Sequence, residues 1–149
     1  MYKQILLPID HSTRSAEAAR AAIEIARRFD ASLSVLNVIA PFSRHAVGEI
    51  RAKAAKPLGA EEYRGLAEKK ARAALEKVAA EAKAAGVACK TVLIEDDDPA
   101  GGIVATARKR KADLIVMASS GRKGIERIFL GSVTSEVLSK TTSPVLVCR

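Results

Sequence analysis

Met117-Ala-Ser-Ser-Gly-Arg-Lys-Gly-Ile-Glu-Arg-Ile-Phe-Leu-Gly-Ser-Val133, directly after Asp113-Leu-Ile-Val-Met117, decides how the rest of the chain is read. The lead-in is apolar enough for a strand covered on both faces. The chain then turns polar and glycine-rich through Ser119, Ser120, Gly121 and Gly124, with Arg122 and Lys123 between them. A second pair, Gly131-Ser132, opens a short helix. Strand, glycine-rich turn and helix start, in that order, present free N–H groups and the positive end of a helix dipole to an anion.

Outward from this stretch the pattern alternates. Downstream, a helix is expected from about Ser132 to Lys140, then a strand over Ser143–Cys148. Upstream, Asp98 caps a helix that begins at Pro99 and carries Ile103, Val104 and Ala107. Its end is the basic run Arg108–Lys111, which complements the helix dipole and reads as a solvated cap. The acids Glu95–Asp98 invite comparison with a metal site, but capping accounts for them. Before them come a strand over Val87–Ile94 and an amphipathic helix over Glu61–Ala85. That helix buries Leu75, Val78 and Ala82 and stops at Gly86.

The segment from Pro41 to about Gly59 is irregular and is expected to be a mobile loop. At the start of the chain, Ile5–Ile9 forms the first strand, with Pro8 at its end, where a missing N–H costs least. Ser12, Thr13 and Ser15 are candidate caps for a helix to about Arg28, whose inner face is Ala18, Ala22, Ile25, Ala26 and Phe29. Ser32–Ile39 is the second strand. The whole reads as one α/β domain over residues 1–149, a doubly wound, Rossmann-like, five-stranded parallel sheet with helices on both faces.

Composition narrows the function classes. The net charge is +8, from 25 Lys+Arg against 17 Asp+Glu, which favours anionic ligands. Aromatic residues are 3% of the chain, too few for a base-stacking surface, so nucleic acid is disfavoured as a partner. Cys89 and Cys148 fit no metal spacing, and His11 and His45 offer no paired ligands. Buried, inert thiols suit a reducing cytoplasm. The N-terminal stretch is no signal peptide, and no apolar run spans a bilayer. Neither G-x-x-x-x-G-K-[ST] nor G-x-G-x-x-G occurs, and no nucleophile–base arrangement is present, so an enzyme is not expected.

With strand order 3-2-1-4-5, the switch point where ligands bind lies between the first and fourth strands. Asp10 then faces the glycine stretch. Its carboxylate suits a ribose hydroxyl or an adenine amine, and it suits a helix cap or turn equally.

These residues resemble the universal stress protein family over essentially the whole chain. The resemblance rests on I-L-L-P-I-D-H-S-T at Ile5–Thr13, L-N-V-I at Leu36–Ile39, D-L-I-V-M-A-S-S-G-R-K-G at Asp113–Gly124, G-S-V-T-S-E-V-L at Gly131–Leu138 and S-P-V-L-V at Ser143–Val147. The family's ATP-binding branch carries G-x2-G-x9-G-[S/T]. Here that spacing is kept with Ala118 in the first place, then Gly121, Gly131 and Ser132. A methyl group at 118 would crowd a ligand if φ were positive and costs little if φ is negative.

The resemblance implies a cytoplasmic homodimer that binds ATP, with Mg2+ or Mn2+ bridging phosphates, and acts in stress tolerance through a protein partner. Pro8, Asp10 and Val38 would hold adenine and ribose. Met117, Ala118, Ser119, Gly121, Arg122, Lys123 and Gly124 would hold ribose and phosphates with Gly131, Ser132, Val133 and Thr134. The closing strand, 144–148, would pair with its two-fold mate. A nucleotide-free dimeric interaction module is the alternative, and a nucleic-acid-associated protein using Arg108–Lys111 is a third.

Overall fold

The computed structural model describes residues 1–42, 59–119 and 130–149. Most of the expected irregular loop, and Gly121, Arg122, Lys123 and Gly124, lie outside them. The strands are β1 (Gln4–Pro8), β2 (Ser32–Ile39), β3 (Cys89–Glu95), β4 (Leu114–Ala118) and β5 (Val145–Cys148). The described helices are α1 (Thr13–Phe29), α2 (Ala60–Ala84), α3 (Pro99–Arg110) and α4 (Ser132–Lys140). All strand pairs are parallel, in the order β3-β2-β1-β4-β5. The order therefore reverses between β1 and β4, as expected.

Alternation along the strands divides the core between two faces. Ile5, Leu7, Leu33, Val35, Leu114 and Val116 meet α1 and α2, including Leu75, Val78 and Ala82. Leu6, Leu36, Ile115 and Met117 meet Ile103, Val104 and Ala107 of α3 and Val137 of α4. Small residues let α1 lie close to the sheet, with Ala18, Ala19, Ala22, Ile23 and Ala26 as its buried face. Of the residues assigned to that face by spacing, Ile25 packs against the same cluster while partly exposed, and Phe29 sits differently. Phe29, in the last position of the helix, is 39% exposed. Its ring meets Tyr2 edge to face, with ring centroids 5.5 Å apart.

Two strands start two residues later than expected, β3 at Cys89 and β5 at Val145 rather than Ser143, and β1 and β4 are shifted by one residue. A helix end explains the shift of β3. After α2, Gly86 takes φ +76. Its N–H donates to Lys83 O at 3.0 Å and Val87 N–H donates to Ala82 O at 2.9 Å. That double closure ties Val87 to the helix, so β3 starts at Cys89 rather than at Val87. Helices α1 and α3 end on the non-glycine left-handed residues Asp30 and Lys111. The start of α3 follows its chemistry: Asp98 Oδ1 accepts from Gly101 N–H at 2.9 Å, and Pro99 stands in the first turn. Lys140 Nζ reaches Asp98 Oδ2 at 3.2 Å and joins α4 to this corner.

Both cysteines are free and half-buried rather than fully buried, and burial pushes both thiols up. No described helix is long and apolar enough to cross a membrane.

Candidate functional site

The carboxyl ends of β1 and β4 open where the strand order reverses, and the elements that follow them build the site. Ile9 N–H donates to Leu36 O at 2.8 Å and extends the β1 pairing by one residue. The chain then turns, and Asp10 organises the turn. Its Oδ1 accepts from Ser12 N–H at 2.8 Å and from Ser15 Oγ at 2.6 Å. Its own N–H donates to Ser15 Oγ at 3.0 Å. Ser12 caps α1 by accepting from Ser15 N–H at 3.3 Å. The turn role open to Asp10 is thus filled through Oδ1, while Oδ2 accepts no hydrogen bond among the described residues.

Burial works against ionisation of the Asp10 carboxyl, but hydrogen bonds from Ser12 and Ser15 outweigh it and hold the group below its ordinary range. A depressed folded-state pKa contributes stability that is present above the ordinary carboxylate range and is lost as pH falls through the folded value. Ser15→Ala is expected to raise the Asp10 pKa and move that acid-side loss to higher pH. Carboxyl-carbon NMR titration checks this, and an unchanged Asp10 pKa would refute it.

Across the switch point, Met117 is buried on the α3 face and Ala118 closes β4. The described non-glycine residues with positive φ are Asp30 and Lys111, so Ala118 keeps an ordinary strand backbone. Its methyl packs against the α1-side cluster that contains Leu114 and Val116. The cavity face on which Leu36, Val38 and Met117 stand is the opposite one. Ser119 is buried, and its N–H donates to Cys148 O at 2.7 Å. Thr134 Oγ1, in the first turn of α4, donates to Ala118 O at 3.3 Å. Gly131 stands at the α4 N-cap without a side-chain cap, so the first amides of that helix have no side-chain acceptor there.

Together these ends border a cavity of about 760 Å³, within the ~300–1,000 Å³ typical of small-molecule sites. Pro8, Leu36, Val38, Ile103 and Met117 give it an apolar side, and Asp10, Ser12, Ser119, Ser132 and Thr134 give it polar groups. Of the residues singled out in the sequence, Pro8, Asp10, Val38, Met117, Ala118, Ser119, Gly131, Ser132, Val133 and Thr134 all line it. Val38 had been named through resemblance alone. Ile9, Ser12, Ser15, Leu36, Pro99 and Ile103 also line it, although none was singled out for the site. Ser12 and Ser15 carried a signal, since the caps of the helix after β1 must border the switch point. The start of α3 carried one only after its packing against β2 was known.

A parallel α/β domain with a cavity at the switch point, between a carboxylate turn and an uncapped helix N-terminus, has the architecture of the doubly wound class, whose ligand sites lie beyond the carboxyl ends of the strands. More narrowly, the model of the universal stress protein family matches residues 1–149, and this chain belongs to that family. It is 41% identical to the universal stress protein MJ0531 of Methanocaldococcus jannaschii, over all of this chain and 83% of that one. Among solved structures it is similar to protein MJ0577, with a TM-score of 0.76 and 26% identity over 99% of this chain and 95% of that one. It is similar too to a universal stress protein in complex with cAMP, with a TM-score of 0.72 and 28% identity over 99% of this chain and 97% of that one.

Proposed function

We propose that this chain binds ATP at the switch-point cavity and works as a nucleotide-dependent regulatory module in the stress response, with at most very slow ATP hydrolysis. The observation that carries this reading is the division of one cavity into an apolar side, a carboxylate turn and an uncapped helix start. The apolar side suits a purine base, Asp10 Oδ2 suits a ribose hydroxyl, and the α4 amides suit phosphate. The cAMP bound by a 28%-identical family member supports an adenine nucleotide as the ligand. Among the described residues lining the cavity, Asp10 is the one acidic residue. Such walls fit Mg2+ or Mn2+ held chiefly by the ligand's own phosphates.

Calorimetric titration with ATP at millimolar concentration, with and without magnesium, tests the reading. Absence of heat in both would remove it in favour of a nucleotide-free interaction module, the reading to which the internally satisfied Oδ1 of Asp10 lends weight. Phosphate release at about 1 s−1 or faster would make the protein an enzyme instead. The backbone at Ala118 bears on affinity as well. Ala118→Gly is expected to leave ATP binding unchanged and to destabilise the fold by about 0.5–1 kcal/mol. A gain in affinity of about tenfold would mean that the methyl obstructs the ligand.

The proposal extends to a cytoplasmic homodimer paired through β5. This strand lies at the sheet edge, and Leu146 on it is 40% exposed. An open edge with an apolar side chain is a template for another strand. Sedimentation that returns only the 15.8 kDa monomer at micromolar concentrations would remove the dimer.

A further inference from the structure

Arg14 stands in the first turn of α1 and forms no ion pair among the described residues. Its side chain is nonetheless held in place. Nη1 donates to Ser119 Oγ at 2.8 Å, although the two residues are 105 positions apart. Ser119 is itself buried and fastened by its N–H to Cys148 O at 2.7 Å. The neighbouring carbonyl, Ala118 O, accepts from Thr134 Oγ1 of α4 at 3.3 Å. The pair Ala118–Ser119 is therefore tied to α1 through Arg14 and to the uncapped start of α4 through Thr134; Ala118 and Ser119 line the cavity, and Arg14 stands just behind them, outside its described lining.

A guanidinium has five N–H donors and a charge that is never lost. Here one donor meets a neutral hydroxyl, and no described carboxylate neutralises the charge. An anion lying against Ala118–Ser119 would have two positive elements near it, Arg14, held to Ser119, and the first amides of α4, tied to Ala118 through Thr134. To bond such an anion, Arg14 would share or exchange an N–H with Ser119. The resulting charge-assisted bond is stronger than the neutral one it replaces.

We propose that Arg14 is a specificity-determining residue of the cavity, selecting phosphorylated nucleotides over nucleosides by bonding a ligand phosphate from the α1 side. The inference rests on adenine nucleotide being the ligand, and it goes beyond that reading in assigning phosphate selection to α1.

Adenosine, AMP and ATP are titrated calorimetrically into the parent, Arg14→Gln and Arg14→Lys proteins. Arg14→Gln should weaken ATP binding about tenfold or more and leave adenosine binding where it was. Arg14→Lys should recover part of the loss, since it keeps the charge without the planar fork. Raising the salt concentration should narrow the gap between parent and Arg14→Gln. Equal losses for adenosine and ATP would overturn the proposal, because Arg14 would then only hold Ser119 in place. Unchanged ATP binding by Arg14→Gln would overturn it too and leave the cavity's nucleotide reading intact. A parent protein that bound none of the three would remove both.

Discussion

Exchanging Val38 for tryptophan should weaken ATP binding by about hundredfold or more, a loss of roughly 3 kcal/mol, while the unliganded protein unfolds at nearly its parental temperature. Val38 stands at the carboxyl end of β2, opposite Ile94 of β3 in register. It shares a sheet face with Leu36, two residues earlier, and lines the cavity. It is only half-buried, so a larger side chain can extend into the open space without displacing the core beneath. An indole there would take the volume against which a purine would lie. The base would then lose its apolar wall and meet a steric barrier, while Asp10 and the α4 amides stay in place. The chain has no tryptophan of its own, so the introduced indole is also the sole such fluorophore and reports directly on occupancy of the cavity. Binding by the Val38→Trp protein as tight as the parent's would mean that the base lies elsewhere.

How much of this was legible in the sequence depends on the range of the interaction involved. Strand–helix alternation, the Asp98–Pro99 cap and the Gly86 stop are local, and each was read correctly because neighbouring residues settle it. The start of β3 was misplaced by two residues, since the closure that holds Val87 to Ala82 competes with strand extension and leaves no mark in hydropathy. Phe29 keeps helical spacing yet is 39% exposed, with its ring against Tyr2, and spacing alone does not tell how fully the last turn of a helix is covered. Asp10 was legible as a switch-point carboxylate. That one of its oxygens serves its own turn follows from Ser12 and Ser15, which had been read only as caps. The Arg14–Ser119 bond joins α1 to the end of β4, and such a contact becomes visible only after the sheet order brings the two together. Val38 came from family resemblance, since a valine in a strand has no chemical mark that separates a cavity wall from an ordinary core residue.

Truncation of Leu6 to alanine should separate stability from binding in the opposite sense. Leu6 lies on the central strand, 0% exposed, in register with Ser34 of β2 and Ile115 of β4. It packs in the cluster with Leu36, Ile103, Met117 and Val137, beneath the cavity but not among its lining residues. Neighbours on a central strand are held by ladders on both sides and cannot close around the space left by the lost carbons. The cost is therefore expected in the range of about 2–5 kcal/mol, with a fall in Tm of roughly 10 °C. Leu66→Ala supplies the contrast. That leucine is 56% exposed on α2, and its truncation should stay within about 0.5 kcal/mol. Because the cavity walls stay in place in Leu6→Ala, its ATP affinity should match the parent's. Saturating ATP at about a hundred times Kd should then restore roughly 2.7 kcal/mol of stability in both proteins alike. Thermal melts with and without ATP measure both quantities. A Leu6→Ala protein that lost affinity in step with stability would mean that the cavity walls depend on the packing of the core beneath them, and that the site is formed in part by its ligand.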